Sequence, residues 1–402
     1  MAASWGRFDS QIGIVAFDRL LSNASHSSIS YIESQSEASI LNLLGRNHDR
    51  ILVVRPDRVG DVVLSTPVYH TLKDSFPNSF VAALVSPYTS ALLERNPYID
   101  SMVTYDPAKE NFRAKVKEIR KFKFDTALLL LPTKSLAYVL FLAGIPYRVG
   151  VGHILYEVIT FMHGVSRKKY IPLRHESDYM LDLARKIGAK KIWARPEIFL
   201  SEDEKESARQ FLDQKGYDVD RPVVGIHPGS AHSSPNWRPE AYSELSDMLE
   251  KNDVQVLVTG AAHEKDLERF FSESSSRNLK TTFGELSLRE LIAVISQMSL
   301  FVSSSTGPMH IASAVGTSTV SMFCPLTACS PKLWGPVGNI SRVILPPENF
   351  CQTKCPGDPH VCTYGGGSNG ITAREVFDAV MQMIGNSRMV RSNFSHTHEG
   401  IR

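Results

Sequence analysis

Two short stretches bring together residues whose types and spacing could do chemistry. In "RPDRVGD", the residues Arg55, Asp57, Arg58, Gly60 and Asp61 follow an apolar run at 51–54. A carboxylate at the end of such a run, beside a glycine that leaves the backbone open to close approach, can act as a general base toward a hydroxyl. The neighbouring cations Arg55 and Arg58 would keep Asp61 ionised at neutral pH and attract an anionic acceptor. The same aspartate could instead only cap a helix. In "VSSSTGPMH", at 302–310, Ser305, Thr306 and Gly307 precede Pro308 and His310. Proline suits the first position of a helix, and Gly316 stands where that helix should end. Free N–H groups at a helix start make an anion site, most often for phosphate. The competing reading is a tight turn with hydroxyl caps and a packed histidine.

Two further loops could complete an anion site. "HPGSAHSSPNW", at 227–237, offers a backbone nest at 228–231 in which Gly229 and Ser230 would face phosphate oxygens. "TGAAHEKD", at 259–266, places His263, Glu264 and Asp266 where a carboxylate could meet a ribose diol. Acids are equally drawn to any first helical turn by the helix dipole.

These loops need elements that deliver them to one place. Strands are expected at 50–56, 79–86, 101–106 and 125–131, alternating with helices at 66–77, 88–97 and 111–124. After a charged stretch at 201–218 the alternation restarts. Strands are expected at 222–230, 254–260, 300–302 and 318–325, with helices at 238–251, 263–274, 287–298 and 308–316. Strands alternating with helices imply βαβ units and parallel sheets, with ligands at the carboxyl ends of the strands. The fold class expected is α/β, with two Rossmann-like doubly wound parallel-sheet domains facing across a cleft. The division expected is a Ser-rich extension at 1–48, a first domain at 49–215, a second at 216–345, a Cys/Gly-rich loop at 346–370, a docking helix at 371–386 and a tail at 387–402. In the docking helix, Thr372 and Glu375 form a capping box, Ile371 and Val376 can staple, and Gly385 closes the helix.

Composition narrows the function classes. A chain of 402 residues with 43% hydrophobic and 21% charged residues is an ordinary globular protein with room for two cores. A net charge of +2 argues against a protein built chiefly to bind nucleic acid. The longest apolar run, at 127–146, is broken by Pro132 and Lys134 and reads as a strand followed by a helix, not a membrane span. The start of the chain lacks a secretory signal pattern, so a cytoplasmic location is expected. Three of the five cysteines, Cys351, Cys355 and Cys362, cluster with His360 in a pattern that could hold zinc. Their spacing is not that of a standard finger, and reduced thiols in a surface loop are the reading adopted.

The ordered set "DRVGDVVLSTP", "IHPGS…NW", "VLVTGAAHEKD", "STGPMHIASAVGTSTVSMFCP" and "WGP" resembles glycosyltransferase family 9, the heptosyltransferases of lipopolysaccharide core assembly. The resemblance runs from about Ile51 to Ile384. It implies a GT-B architecture with an N-terminal acceptor domain and a C-terminal sugar-nucleotide domain, the donor usually being ADP-heptose. It also implies inverting transfer without a metal or other cofactor. By matching positions, Asp61 would take the proton of the acceptor hydroxyl, while Thr306, Gly307 and His310 would hold the departing diphosphate. The acceptor implied is a cell-envelope glycolipid, met at the cytoplasmic membrane face.

Two departures stand out. The family often has an acidic residue where Ser305 stands, and Lys or Arg where Pro235 stands. The second removes an expected cation, which Arg238 or Lys332 could replace. These departures keep open an alternative, a degenerate sugar-nucleotide-binding protein that no longer catalyses.

Overall fold

The structure, a computed structural model, describes residues 48–151, 154–165, 170–218, 220–230, 234–272, 279–358, 361–364 and 370–396. Most of the expected extension, Ala231 of the expected nest and His360 of the cysteine cluster lie outside the described residues.

The first sheet is built from β1 (Arg50–Val54), β2 (Phe80–Val85), β3 (Ser101–Thr104), β4 (Thr126–Leu129), β5 (Tyr147–Gly150) and β6 (His163–Gly164). Its helices are α1 (Val59–Ser75), α2 (Phe112–Lys121), α3 (Lys134–Leu142), α4 (Leu155–Ile159) and α5 (Glu176–Lys186). After α6 (Glu202–Gln214) come β7 (Val223–His227), α7 (Pro239–Lys251), β8 (Gln255–Gly260) and β9 (Lys280–Phe283). They are followed by α8 (Leu288–Gln297), β10 (Leu300–Ser304), α9 (Gly307–Ala314), β11 (Ser318–Met322), β12 (Ser341–Ile344) and α10 (Ala373–His396).

Both sheets are parallel throughout, and both have the same order. The first runs β3-β2-β1-β4-β5-β6, and the second, from its other edge, runs β9-β8-β7-β10-β11-β12. The order reverses between β1 and β4 in one sheet and between β7 and β10 in the other. At such a switch point the loops leave to opposite faces and open a crevice at the carboxyl ends. The loops after β1, β7 and β10 are three of the four glycine-bearing stretches singled out in the sequence, and the fourth follows β8. The expected α/β class with two doubly wound sheets is therefore the architecture observed.

The strands read as continuous apolar runs because helices cover both faces. Leu52, Val54, Ala127 and Leu129 pack with Leu136 and Leu140 of α3 in the first core. In the second core, Val224, Ile226 and Val302 meet Tyr242 and Leu245 of α7 and Val376 and Val380 of α10. Trp237, also in this core, donates its indole N–H to the Ile371 carbonyl at 2.9 Å. That bond ties the entry to α10 onto the sheet. The helix docks on α7, as its apolar stripe requires.

Several elements differ from expectation, each for a local reason. The helix expected at 66–77 begins at Val59, with Pro67 inside it. Proline cannot donate to Val63, but Thr66 Oγ1 donates to that carbonyl at 2.8 Å, which satisfies the orphaned acceptor. The helix expected at 88–97 is a single 3₁₀ turn, Thr89–Leu92, because Arg95 adopts a left-handed φ of 61°. The helix expected at 263–274 likewise starts as a 3₁₀ turn, Ala262–Leu267. Gly385 does not close α10, which continues to His396. Without a left-handed φ, a glycine inside a helix costs about 1 kcal/mol relative to alanine but does not end it. The Thr372 hydroxyl does accept the Glu375 N–H, at 3.2 Å. The charged stretch at 201–218 is α6, started by a full capping box between Ser201 and Glu204 and packed on α8.

Candidate functional site

The three switch-point loops surround a cavity of about 520 Å³ lined from both sheets. From the first sheet come Asp57, Arg58, Gly60 and Asp61, all in the loop after β1 or the first turn of α1. From the second come Gly229 and Ser230 after β7, Glu264 after β8, and Ser305, Thr306, Gly307 and His310 after β10. Sequence distances of more than 200 residues thus collapse onto one site. Of the side chains expected there, Arg55 and Asp266 stand outside its lining.

Arg55 is 4% exposed and lies behind Asp61. Its Nη1 donates to the Leu130 carbonyl at 2.7 Å, and its Nη2 donates to Asp61 Oδ1 in a close charge-assisted bond. The expected acceptor contact is therefore corrected to a buried support, since a guanidinium held by Leu130 and Asp61 has no face toward the cavity. Arg58 is exposed on the cavity wall, and it is the one guanidinium or ammonium among the described lining residues.

Asp57 stands in the expected motif, but the sequence assigns it no role. Its Oδ1 stands 3.0 Å from Arg55 Nε, an ion pair whose N–H is not aimed at the oxygen, so neither atom has a hydrogen bond. Burial, reinforced by the Asp61 charge and only partly offset by Arg55, pushes the Asp57 carboxyl up to about 7. A carboxyl raised this far binds its proton more tightly in the folded chain than in the unfolded one, where the value is about 3.9. Its contribution to stability is thus full below pH 4 and is lost as pH rises toward 7. Asp57→Asn removes the buried charge, so it should raise Tm by a few degrees at pH 8 while leaving it close to wild type at pH 4. Thermal unfolding at the two pH values measures this, and equal shifts at both would refute the assignment.

The starts of α1 and α9 meet tip to tip. A Cβ built on Gly60 would lie 2.9 Å from His310 Cδ2, and one on Gly307 would lie 3.0 Å from Val59 Cβ. Both glycines thus sit at close approach in this contact between the sheets, where a side chain would press on His310 or Val59, a reason that the anion-site reading of Gly307 did not contain. At the same turn, Thr306 is 3% exposed and its Oγ1 has no hydrogen-bond partner among the described residues. His310 is buried on α9, and burial, with His175 as a lesser cause, drops it to about 3. The ring is thus a neutral imidazole at physiological pH, a hydrogen-bond donor and not a cation. His175, at the N-cap of α5, escaped the sequence reading. Its Nδ1 accepts the Ser177 N–H at 3.4 Å, which leaves Nε2–H to donate to the Gly335 carbonyl at 2.9 Å. The first sheet's α5 thereby holds the "WGP" loop of the second.

On the far wall, a Cβ on Gly229 would overlap the Glu264 carboxylate at 1.9 Å. Glu264 accepts the Ala261 N–H at 2.9 Å and stands 3.4 Å from His227 Nε2. Burial would raise its carboxyl, but His227 and that N–H outweigh it and hold it down at about 2. A fixed carboxylate thus lies against the bare backbone of the loop after β7. The Ser305 carbonyl accepts the Ser234 hydroxyl at 2.6 Å. Pro235 is buried away from the cavity, with its carbonyl taken by Tyr364 OH at 2.7 Å. Neither Arg238 nor Lys332 lines the cavity, so neither replaces the expected cation there. All five cysteines are free, and among the described residues no group of three or more His, Cys, Asp or Glu is placed to hold a metal.

The family model of glycosyltransferase family 9 (heptosyltransferase) matches residues 112–357, well over half of the chain. The chain belongs to glycosyltransferase family 9. This glycosyltransferase is 26% identical over 313 residues to lipopolysaccharide heptosyltransferase 2 of Escherichia coli strain K12, covering 73% of the chain and 87% of that relative. It is 25% identical over 312 residues to the lipopolysaccharide core heptosyltransferase OpsX of Haemophilus influenzae, covering 76% and 86%. Its fold is that of the Escherichia coli ADP-heptose lipopolysaccharide heptosyltransferase II structure, with a TM-score of 0.69 at 22% identity over 84% of this chain and 99% of that one. A glycosyltransferase family 9 structure from Veillonella parvula aligns with a TM-score of 0.71 at 19% identity, over 84% and 97%. The architecture is GT-B, two parallel-sheet halves facing across a cleft.

Proposed function

We propose that this glycosyltransferase moves a heptose, or a related sugar, from ADP-heptose to a hydroxyl of a lipopolysaccharide-core-like glycolipid, with inversion and without a metal, at the cytoplasmic membrane face. The observation that carries the reading is the buried Thr306 Oγ1, left without a partner at the start of α9 in the cavity that Asp61 also lines. A hydroxyl and free backbone N–H groups there fit a diphosphate. Asp61 takes the acceptor proton as the acceptor oxygen bonds to the anomeric carbon. The carbon–oxygen bond to the diphosphate breaks, and its electron pair leaves with the nucleotide. His310, a neutral donor, stabilises the charge that grows there without needing to titrate. Glu264 suits a ribose hydroxyl, and Arg58 suits an anionic group on the acceptor.

The test is nucleotide release by the full chain given ADP-heptose and a lipopolysaccharide acceptor truncated before heptose addition. Release of ADP, unaffected by chelator, with an inverted anomeric linkage in the product, is the expected result. Tight donor binding without release would replace this reading with the degenerate binding protein.

A further inference from the structure

We propose that the outer face of α3 and α4, at the β6 edge of the first sheet, docks on an anionic lipid surface. Among the described residues the face is apolar and uncovered. Leu155 is 74% exposed, Val158 63% and Phe161 73%, with Phe141, Leu142 and Ile159 also exposed. These side chains form one patch, since the Phe141 and Phe161 rings lie 6.3 Å apart and α3 packs on α4. Exposed apolar groups scattered singly need no explanation, but a contiguous patch marks an interaction surface.

The underside of the patch is built to hold that shape. Arg148 is buried beneath it, with its guanidinium 5.3 Å over the Phe141 ring and donating to the Ile145 carbonyl and, at 2.7 Å, to the Thr160 carbonyl. Glu157, the one acid of α4, is 2% exposed and turned inward over Gly150. The outer face of α4 therefore shows no charge.

The rim is cationic. Arg113, Lys117, Arg120 and Lys121 are all exposed along one stripe of α2, and Arg120 donates to the Leu142 carbonyl at 2.6 Å, which fixes the stripe beside the patch. The acids of this region are engaged elsewhere, Glu110 and Glu118 with Lys115 at 3.0 and 2.8 Å. Apolar side chains bordered by cations complement acyl chains bordered by anionic headgroups. A second copy of this chain fits less well, because an isologous contact sets the same cations against each other. No helix among the described residues is long and apolar enough to cross a membrane, so the contact is a lateral one. A lipid-anchored acceptor, as in the reading above, would meet the first sheet from this side; the docking proposal deepens that reading but is tested apart from it.

The experiment is flotation of the full chain with vesicles of phosphatidylcholine alone or with about 30% phosphatidylglycerol, neither containing acceptor. Wild type should float with the anionic vesicles and dissociate as salt rises. Val158→Asp with Phe161→Asp, both at exposed positions, should lose binding by at least about tenfold. Lys117→Gln with Lys121→Gln should lose about fivefold per charge at low salt. All variants should retain wild-type ADP release with a delipidated, soluble acceptor. Wild type that ignores anionic vesicles, or an aspartate variant that floats as well as wild type, overturns the proposal. So does a concentration-dependent dimer that Val158→Asp dissolves while vesicle binding is absent, which would make the patch a self-interface. Failure of the soluble reaction with flotation intact would count against the transfer reading and not against the docking face.

Discussion

Replacing Asp61 by Asn should lower turnover by about 10²–10⁴-fold while leaving donor affinity near wild type. An acceptor hydroxyl must lose its proton as the new bond forms, and the amide cannot take it. The size is unchanged and the residue sits in the first turn of α1, so the helix start and its contact with α9 remain. The groups proposed for the donor lie on the other sheet, on the loops after β7, β8 and β10, which Asp61 does not hold together. Donor affinity by calorimetry and turnover by ADP release separate the two effects. A variant that loses folded protein while keeping its activity per folded molecule would make Asp61 a helix residue and move the base elsewhere.

Arg55→Met should destabilise the chain by about 3–5 kcal/mol, the cost of removing one partner from a buried charge group. The guanidinium serves two carboxylates and one carbonyl at once, and no other cation among the described residues pairs with Asp57 or Asp61. The deficit should be larger at pH 8 than at pH 4, because Arg55 matters most when the carboxyls it faces are charged. For Asp57, raised to about 7, that condition is met only near and above neutrality. Arg55→Lys keeps the charge but not the three-way fork, and it should recover only part of the loss. Thermal unfolding of the three proteins at both pH values is the measurement. A Met variant as stable as wild type at pH 8 would show that the carboxylates do not depend on Arg55.

How much of this was legible in the sequence follows from how local each signal is. The three loops could be found because each is an apolar strand running into glycine and polar residues, and the parallel sheets carry such loops to the switch points. Asp61, Thr306, Gly307 and His310 therefore came together as expected. The burial of Arg55 was not legible, since its deciding partner, the Leu130 carbonyl, lies 75 residues away. A basic residue after a strand reads the same whether it faces solvent or core. Asp57 stands in the motif, but nothing local marks its role, because its importance comes from burial next to a second carboxylate. His175 had no motif at all. The start of α1 was misplaced because Pro67 reads as a first-turn residue, and only the Thr66 hydroxyl explains how the helix tolerates it. The glycine at 385 reads as a stop, yet nothing stands within 4 Å of its missing Cβ to favour any special conformation.

The tip-to-tip contact of α1 and α9 has a mechanical side. The two halves touch there through Gly60, Gly307 and His310, and again where Arg289 of α8 donates to the Ala91 carbonyl at 3.0 Å and where His175 of α5 donates to the Gly335 carbonyl at 2.9 Å. Three separated contacts leave no single axis about which one half could rock while all are kept. Widening the cleft would first cost the Arg289 and His175 hydrogen bonds, so the spacing of Asp61 and the start of α9 is braced from more than one place.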